Sequence, residues 1–219
     1  MIPTAKNGQR ILLLGATGAV GSQVLRLALA HPAVVQVVAP TRRALPAHDR
    51  LLNPVLDFTA PLPAAAPWWA VSGVICALGT TIRDAGTQAA FAAVDRDLPL
   101  AVARLARAAG ADCYVLNSSL GASPRGNFYL RTKAEAELGL TGLGFASVTC
   151  VRPSLIDATR TRLRPGERAG LWAAHLLQPL IPRRYRPVTA EAIARCLLNA
   201  ALSAAPGQHV IESEHIAQA

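Results

Sequence analysis

Three short stretches of this 219-residue chain carry residues at spacings that can do chemistry. The first is Gly15-Ala16-Thr17-Gly18-Ala19-Val20-Gly21, a GxxGxxG run between an apolar stretch and a helix-patterned one. Glycines there let the chain turn tightly and let a pyrophosphate approach the backbone. The opening turn of the helix adds free N–H groups and a partial positive charge. Gly15, Thr17, Gly18, Ala19, Val20 and Gly21 are thus the expected dinucleotide cradle. The second is Tyr129-Leu130-Arg131-Thr132-Lys133, whose i,i+4 spacing on a helix sets a phenol and an ammonium on one face. A neighbouring cation favours phenolate and brings the phenol proton toward the range of general acid catalysis. The lysine is informative because the chain uses Arg 20 times and Lys only twice. A compact ammonium can hold a ribose and relay a proton, whereas a guanidinium stays protonated. The third is Asn117-Ser118-Ser119, at the end of an apolar run and ten to twelve residues before Tyr129. A hydroxyl at that place can orient a substrate carbonyl beside the phenol.

A fourth stretch bears on which cofactor is bound. Pro40-Thr41-Arg42-Arg43 ends the second strand-like run, about 20 residues beyond Gly21. An NAD site usually places an acid there for the ribose 2′-hydroxyl, and an NADP site places a cation against the 2′-phosphate. Arg42 and Arg43, with no acid nearby, point to NADP(H). Asp57 and Phe58, after the third run, are placed as neighbours of the adenine.

These residues need a frame, and the pattern supplies one. Apolar strand-like runs at 10–14, 34–39, 51–56, 71–78, 112–116 and 146–151 alternate with helical spacing at 19–30, 87–109 and 128–138. Pro99 should kink the long 87–109 region or mark a second start. Further helical runs stand near 171–177 and 190–202, and a short strand at 208–211 closes the chain. Near-continuous Val/Ile/Leu strands separated by helices describe a parallel sheet covered on both faces. The expected class is α/β, a doubly wound parallel sheet in a single domain, with residues 153–187 as a small elaboration on the substrate side.

Composition narrows the partners. Hydrophobic residues make up 52% and charged ones 16%, which excludes a disordered chain. The mean hydropathy of +0.30 comes largely from 43 alanines, and no apolar run reaches the length of a membrane span. Residues 1–10 contain no apolar signal-peptide core. The expectation is a cytoplasmic protein with no membrane partner. The net charge of +9 is an arginine charge, and eight arginines lie between Arg152 and Arg186. That favours an anionic small-molecule substrate. Without interleaved aromatics or a zinc pattern, nucleic acid is disfavoured. Cys76, Cys113, Cys150 and Cys196 show no metal or disulfide spacing and read as buried small hydrophobes. No metal is expected, and oligomerisation is left open.

Taken together, several motifs resemble the short-chain dehydrogenase/reductase superfamily, closest to its atypical branch typified by the Tat-interactive-protein oxidoreductase. They are Gly15–Gly21, Leu78-Gly79-Thr80-Thr81, Val94-Asp95-Arg96-Asp97, Ser118-Ser119-Leu120-Gly121-Ala122, Phe128 to Glu137, and Arg152-Pro153 with the basic stretch after it. The resemblance covers essentially the whole chain. It implies a Rossmann fold, bound NADP(H), and catalytic serine, tyrosine and lysine positions carried by Ser119 (or Ser118), Tyr129 and Lys133. It also brings Ala77, Leu78, Gly79, Ser118 and Pro153 to the cofactor. Ala77-Leu78-Gly79 stands where the main branch has Asn-Ala-Gly, and Ser154 where many relatives have glycine. Two functions follow as expectations: an NADP(H)-dependent oxidoreductase of a small carbonyl or alcohol, or an NADPH-binding regulatory module acting through a protein partner. Dehydration or epimerisation of a nucleotide-linked sugar is a weaker third.

Overall fold

Strands built of continuous Val, Ile and Leu can bury both faces only between two helical layers. The computed structural model, which describes residues 8–157 and 182–218, has that arrangement. Its main sheet contains β1 (Gln9–Leu14), β2 (Val34–Val38), β3 (Leu51–Leu52), β4 (Gly73–Cys76), β5 (Cys113–Asn117), β6 (Ser147–Arg152) and β9 (Gly207–Glu212). The spatial order is β3-β2-β1-β4-β5-β6-β9 and every pairing is parallel. This is the doubly wound Rossmann fold. Alternate residues of β1 separate the two cores. Ile11 and Leu13 pack toward α1 (Ala19–Ala30) and α6 (Ala190–Ser203), joining Val24, Ala28, Ile193 and Leu197. Leu12 and Leu14 pack toward α4 (Leu98–Ala108) and α5 (Phe128–Thr141), joining Val102, Ala106 and Leu140. Each of these four β1 side chains is fully buried, which contributes about 1.5–3 kcal/mol apiece.

Three local outcomes refine the pattern-based reading. The third strand, expected over 51–56, is only Leu51–Leu52, followed by a single bridge from Thr41 to Val55. Pro54 has no N–H for the ladder, and Asn53 turns its side chain into the loop after β2. The long helical region, after the short α2 (Ile82–Ala85), runs as α3 (Gln88–Ala92), a π-turn (Ala93–Asp97) and α4. Leu98 N–H bonds to Ala93 O, five residues back, and Pro99 is buried in the first turn of α4. Pro99 therefore marks a second start, and the π-turn absorbs the missing donor. After β6, the chain forms β7 (Ile156–Asp157), which pairs with β8 (Val188–Thr189). Most of the expected 153–187 elaboration, and the 171–177 run, lie outside the described residues.

Candidate active site

The glycine run is built by backbone contact. Gly15 has φ +82°, and a Cβ there would sit 2.7 Å from the Ala77 carbonyl oxygen. At Gly21 a Cβ would sit 1.9 Å from the Gly15 oxygen. The exit of β1 thus lies directly on α1 and on Ala77-Leu78 at the exit of β4, with no room for side chains between. Gly18 caps α1 without a side-chain bond, and no acid stands in the first turn. The N–H groups of Ala19, Val20 and Gly21 have no partner within the helix, and Thr17, Gly18 and Ala19 are exposed. A cradle closed to side chains, rimmed by free donors at the positive end of a helix, fits a pyrophosphate.

At the other side of the cradle, Arg42 and Arg43 are both exposed on the loop after β2. Asp57 is exposed too, and its Oδ1 accepts from Thr59 N at 2.9 Å and from Thr59 Oγ1 at 2.7 Å. Those two bonds hold its carboxyl below the usual range. Phe58 is half-buried beside it.

The helix α5 carries the rest. Asn127 caps it by accepting from Leu130 N at 3.0 Å, so Tyr129 falls in the first turn. Lys133 follows one turn later and Glu137 one turn after that, and both are buried. Lys133 Nζ lies 2.7 Å from Asp95 Oδ1 in a buried ion pair, with the carboxylate fully covered and the lysine side chain 5% exposed. Burial pulls the Lys133 ammonium down, but the charges of Asp95 and Tyr129 and the contact with Asp95 outweigh it, and the net shift is upward. Asp95 stands inside the π-turn, and its Oδ2 accepts from Thr80 N at 3.0 Å. One buried carboxylate therefore holds both the lysine and the turn after β4 that contains Ala77, Leu78 and Gly79. The Tyr129 ring packs against buried Phe91 with centroids 5.4 Å apart.

The two serines at the exit of β5 have different surroundings. Ser118 is buried, and its Oγ donates to Glu137 Oε1 at 2.5 Å. Ser119 is half-buried, and its Oγ makes only a 3.5 Å contact to Leu120 O. Of the two, only Ser118 has its hydroxyl engaged by another side chain. Glu137 also accepts from both Nε (3.0 Å) and Nη2 (2.6 Å) of Arg152, whose Nη1 donates to Glu212 at 3.1 Å. Arg152 is consequently a tie between α5, β6 and β9, with its charge engaged by carboxylates. Pro153 is buried, and its carbonyl accepts from Leu120 N at 2.8 Å, extending the β5–β6 ladder past the strand. Of the arginines expected near a substrate, Arg160, Arg162, Arg164 and Arg168 lie outside the described residues.

Curated relatives match this chain across nearly its whole length. It is 34% identical over 218 residues to "Protein fmp52, mitochondrial" of Emericella nidulans, covering 94% of this chain and 93% of that one. It is 33% identical over 207 residues to "Protein HTATIP2" of Rattus norvegicus, covering 90% and 83%. The chain belongs to the atypical short-chain dehydrogenase/reductase family. No protein-family profile matches it. Among solved structures, MoeE5 in complex with UDP-glucose and NAD superposes with a TM-score of 0.65 at 19% identity, over 94% of this chain and 79% of that one. That likeness is one of fold. The cytoplasmic location expected from the sequence is corrected by the fungal family members, which are named as mitochondrial. The missing apolar core bears on secretion, whereas mitochondrial address segments are amphipathic and Arg-rich. No described helix is long and apolar enough to cross a membrane.

Within this atypical short-chain dehydrogenase/reductase chain, the pattern-based reading missed Glu137 as the partner of Ser118, Asp95 as the partner of Lys133, and Phe91. Glu137 had a signal, since it continues the Tyr129–Lys133 stripe at i+8. Phe91 had none beyond its apolarity. All four cysteines are buried and free, as expected of small hydrophobes, and burial pushes the Cys76 thiol up to about 11.

Proposed function

We infer that this protein is an NADP(H)-dependent oxidoreductase acting on a small carbonyl or alcohol. The observation that carries the reading is the α5 stripe: Tyr129 one turn from a lysine that is buried and fixed by Asp95. Burying a lysine carries a desolvation cost that its ion pair with Asp95 has to offset, and this chain has two lysines in all. Gly15 to Gly21 and the first amides of α1 would hold the pyrophosphate, and Arg42 with Arg43 the 2′-phosphate. When bound, the nicotinamide supplies or accepts the hydride. Lys133 would hold the nicotinamide ribose hydroxyls and keep positive charge near the phenol. Tyr129 Oη gives its proton to the forming alkoxide, or takes it in the reverse direction. Ser119 Oγ donates to the carbonyl oxygen and orients it.

The test is NADPH absorbance with a panel of small aldehydes and ketones, wild type beside Tyr129→Phe. The ring and its packing on Phe91 survive the change, and only the proton is lost. Turnover should fall by roughly 10²–10⁴ with little change in NADPH affinity. A variant that matches wild type would overturn the assignment, and a wild type with no turnover on any carbonyl would favour the regulatory module. Calorimetry should find NADPH bound at least tenfold tighter than NADH, about 1.4 kcal/mol.

A further inference from the structure

Arg42 and Arg43 sit at the tip of a loop with no regular structure, so something else must fix where they point. Thr41 and Leu45 form the two feet of that loop, and a single side chain bonds both. Asn53, half-buried just beyond β3, accepts from Leu45 N at 2.7 Å through Oδ1. Through Nδ2 it donates to Thr41 Oγ1 at 2.8 Å and to Ala39 O at 2.5 Å. Thr41, itself buried, passes the bond on, its Oγ1 donating to Arg43 O at 2.6 Å. Main-chain bonds brace the same foot, from Thr41 N to Pro54 O and from Leu56 N to Thr41 O. The tip arginines carry no such restraint on their side chains and are exposed.

We propose that Asn53 is a specificity-positioning residue: by clamping both feet of the Thr41–Leu45 loop it presets the backbone from which Arg42 and Arg43 meet a 2′-phosphate. This rests on the assignment of those arginines to NADP(H). The physical gain is preorganisation, because a loop fixed before binding does not lose its freedom on binding. Every bond of the Asn53 side chain goes to the feet of the loop that carries the two arginines or to Ala39 just before it, so its contribution is expected to fall on the 2′-phosphate that those arginines would meet. A merely structural residue would weaken both nucleotides together.

Calorimetric titration of NADPH and NADH into wild type, Asn53→Ala, Thr41→Val and the double variant Arg42→Ala/Arg43→Ala separates the cases. The expected result is that Asn53→Ala lowers the NADPH:NADH affinity ratio by roughly three- to tenfold. NADH affinity should hold within about twofold. Thr41→Val keeps shape and removes the bond from Asn53 and the one relayed to Arg43, while leaving Asn53 on Leu45 N and Ala39 O. It should act in the same direction more weakly, and it decides the matter if Asn53→Ala fails to fold. In the cofactor-free protein, hydrogen exchange at the Leu45 amide should quicken in Asn53→Ala. An unchanged ratio in both single variants, with the arginine variant losing its preference, would overturn the role of Asn53 and leave the arginine assignment standing. Equal weakening of both nucleotides would also overturn it. A wild type without preference for NADPH, or an arginine variant that keeps it, would overturn the arginine assignment and this role with it.

Discussion

The two halves of the candidate site are built from opposite materials. The glycine half, from β1 to α1, is backbone against backbone. It works because side chains are missing, and its charge is the partial charge of uncapped amides. The α5 half is made of full charges carried by long side chains, closed against carboxylates from other elements: Lys133 on Asp95, and Arg152 on Glu137 and Glu212. The first half is therefore fragile to added volume and indifferent to charge. The second is fragile to the loss of one partner, since a buried ion without its counter-ion is far worse than no ion at all.

The largest expected effect tests the ion-paired half. Asp95→Ala strands Lys133 in a buried site and frees the Thr80 amide, and should cost about 3–5 kcal/mol in denaturant unfolding. Replacing both partners, as Asp95→Leu with Lys133→Met, should recover much of that stability while abolishing turnover. A loss below about 1 kcal/mol for Asp95→Ala would place this pair with surface ion pairs and break the contrast. The glycine half answers to volume. Gly21→Ala drives a methyl into the Gly15 carbonyl and should cost up to about 3 kcal/mol along with nucleotide affinity. Gly18→Ala is the control: its Cβ would stand 3.4 Å from Gly15 O, so unfolding should shift by no more than about 1 kcal/mol. If both alanines behaved alike, close packing would not be what selects glycine.

The smallest effect is in pH and sharpens the comparison from the charge side. The folded pKa of Lys133 is raised above 10.5, so its contribution is whole below that pH and is lost as pH climbs through the folded value. The buried thiols act in the same sense. Cys76 and Cys196 are pushed to about 11 and Cys150 to about 12 from 9.0, so these groups add no slope below pH 9 and stability should decline above it. In Asp95→Asn, burial is no longer opposed by the carboxylate and Lys133 should fall below 10.5. The unfolded state then binds more protons, and the variant's stability relative to wild type should rise with pH up to that point. Melts of both proteins across the alkaline range read the difference directly, and parallel curves would mean that Asp95 does not set the charge of Lys133.

By itself the sequence determined the fold class, the cradle and the stripe. Those signals are local: Val/Ile/Leu runs bounded by glycine and proline, a glycine triplet at a strand-to-helix junction, and a tyrosine and lysine one helical turn apart. Periodicity reports only on neighbours within a turn or a strand. The tertiary structure decided everything that depends on elements meeting. It turned Ser118 inward to Glu137 and left Ser119 open, though the two are adjacent and identical in type. It brought Asp95 under Lys133 through a π-turn whose length no pattern encodes, and it shortened the third strand so that Asn53 could reach Thr41 and Leu45. It also committed Arg152 to carboxylates from two other elements. The reason is the same in each case. A polar side chain is satisfied by whatever donor or acceptor the assembled sheet and helices place within about 3 Å, and that partner is distant in the chain.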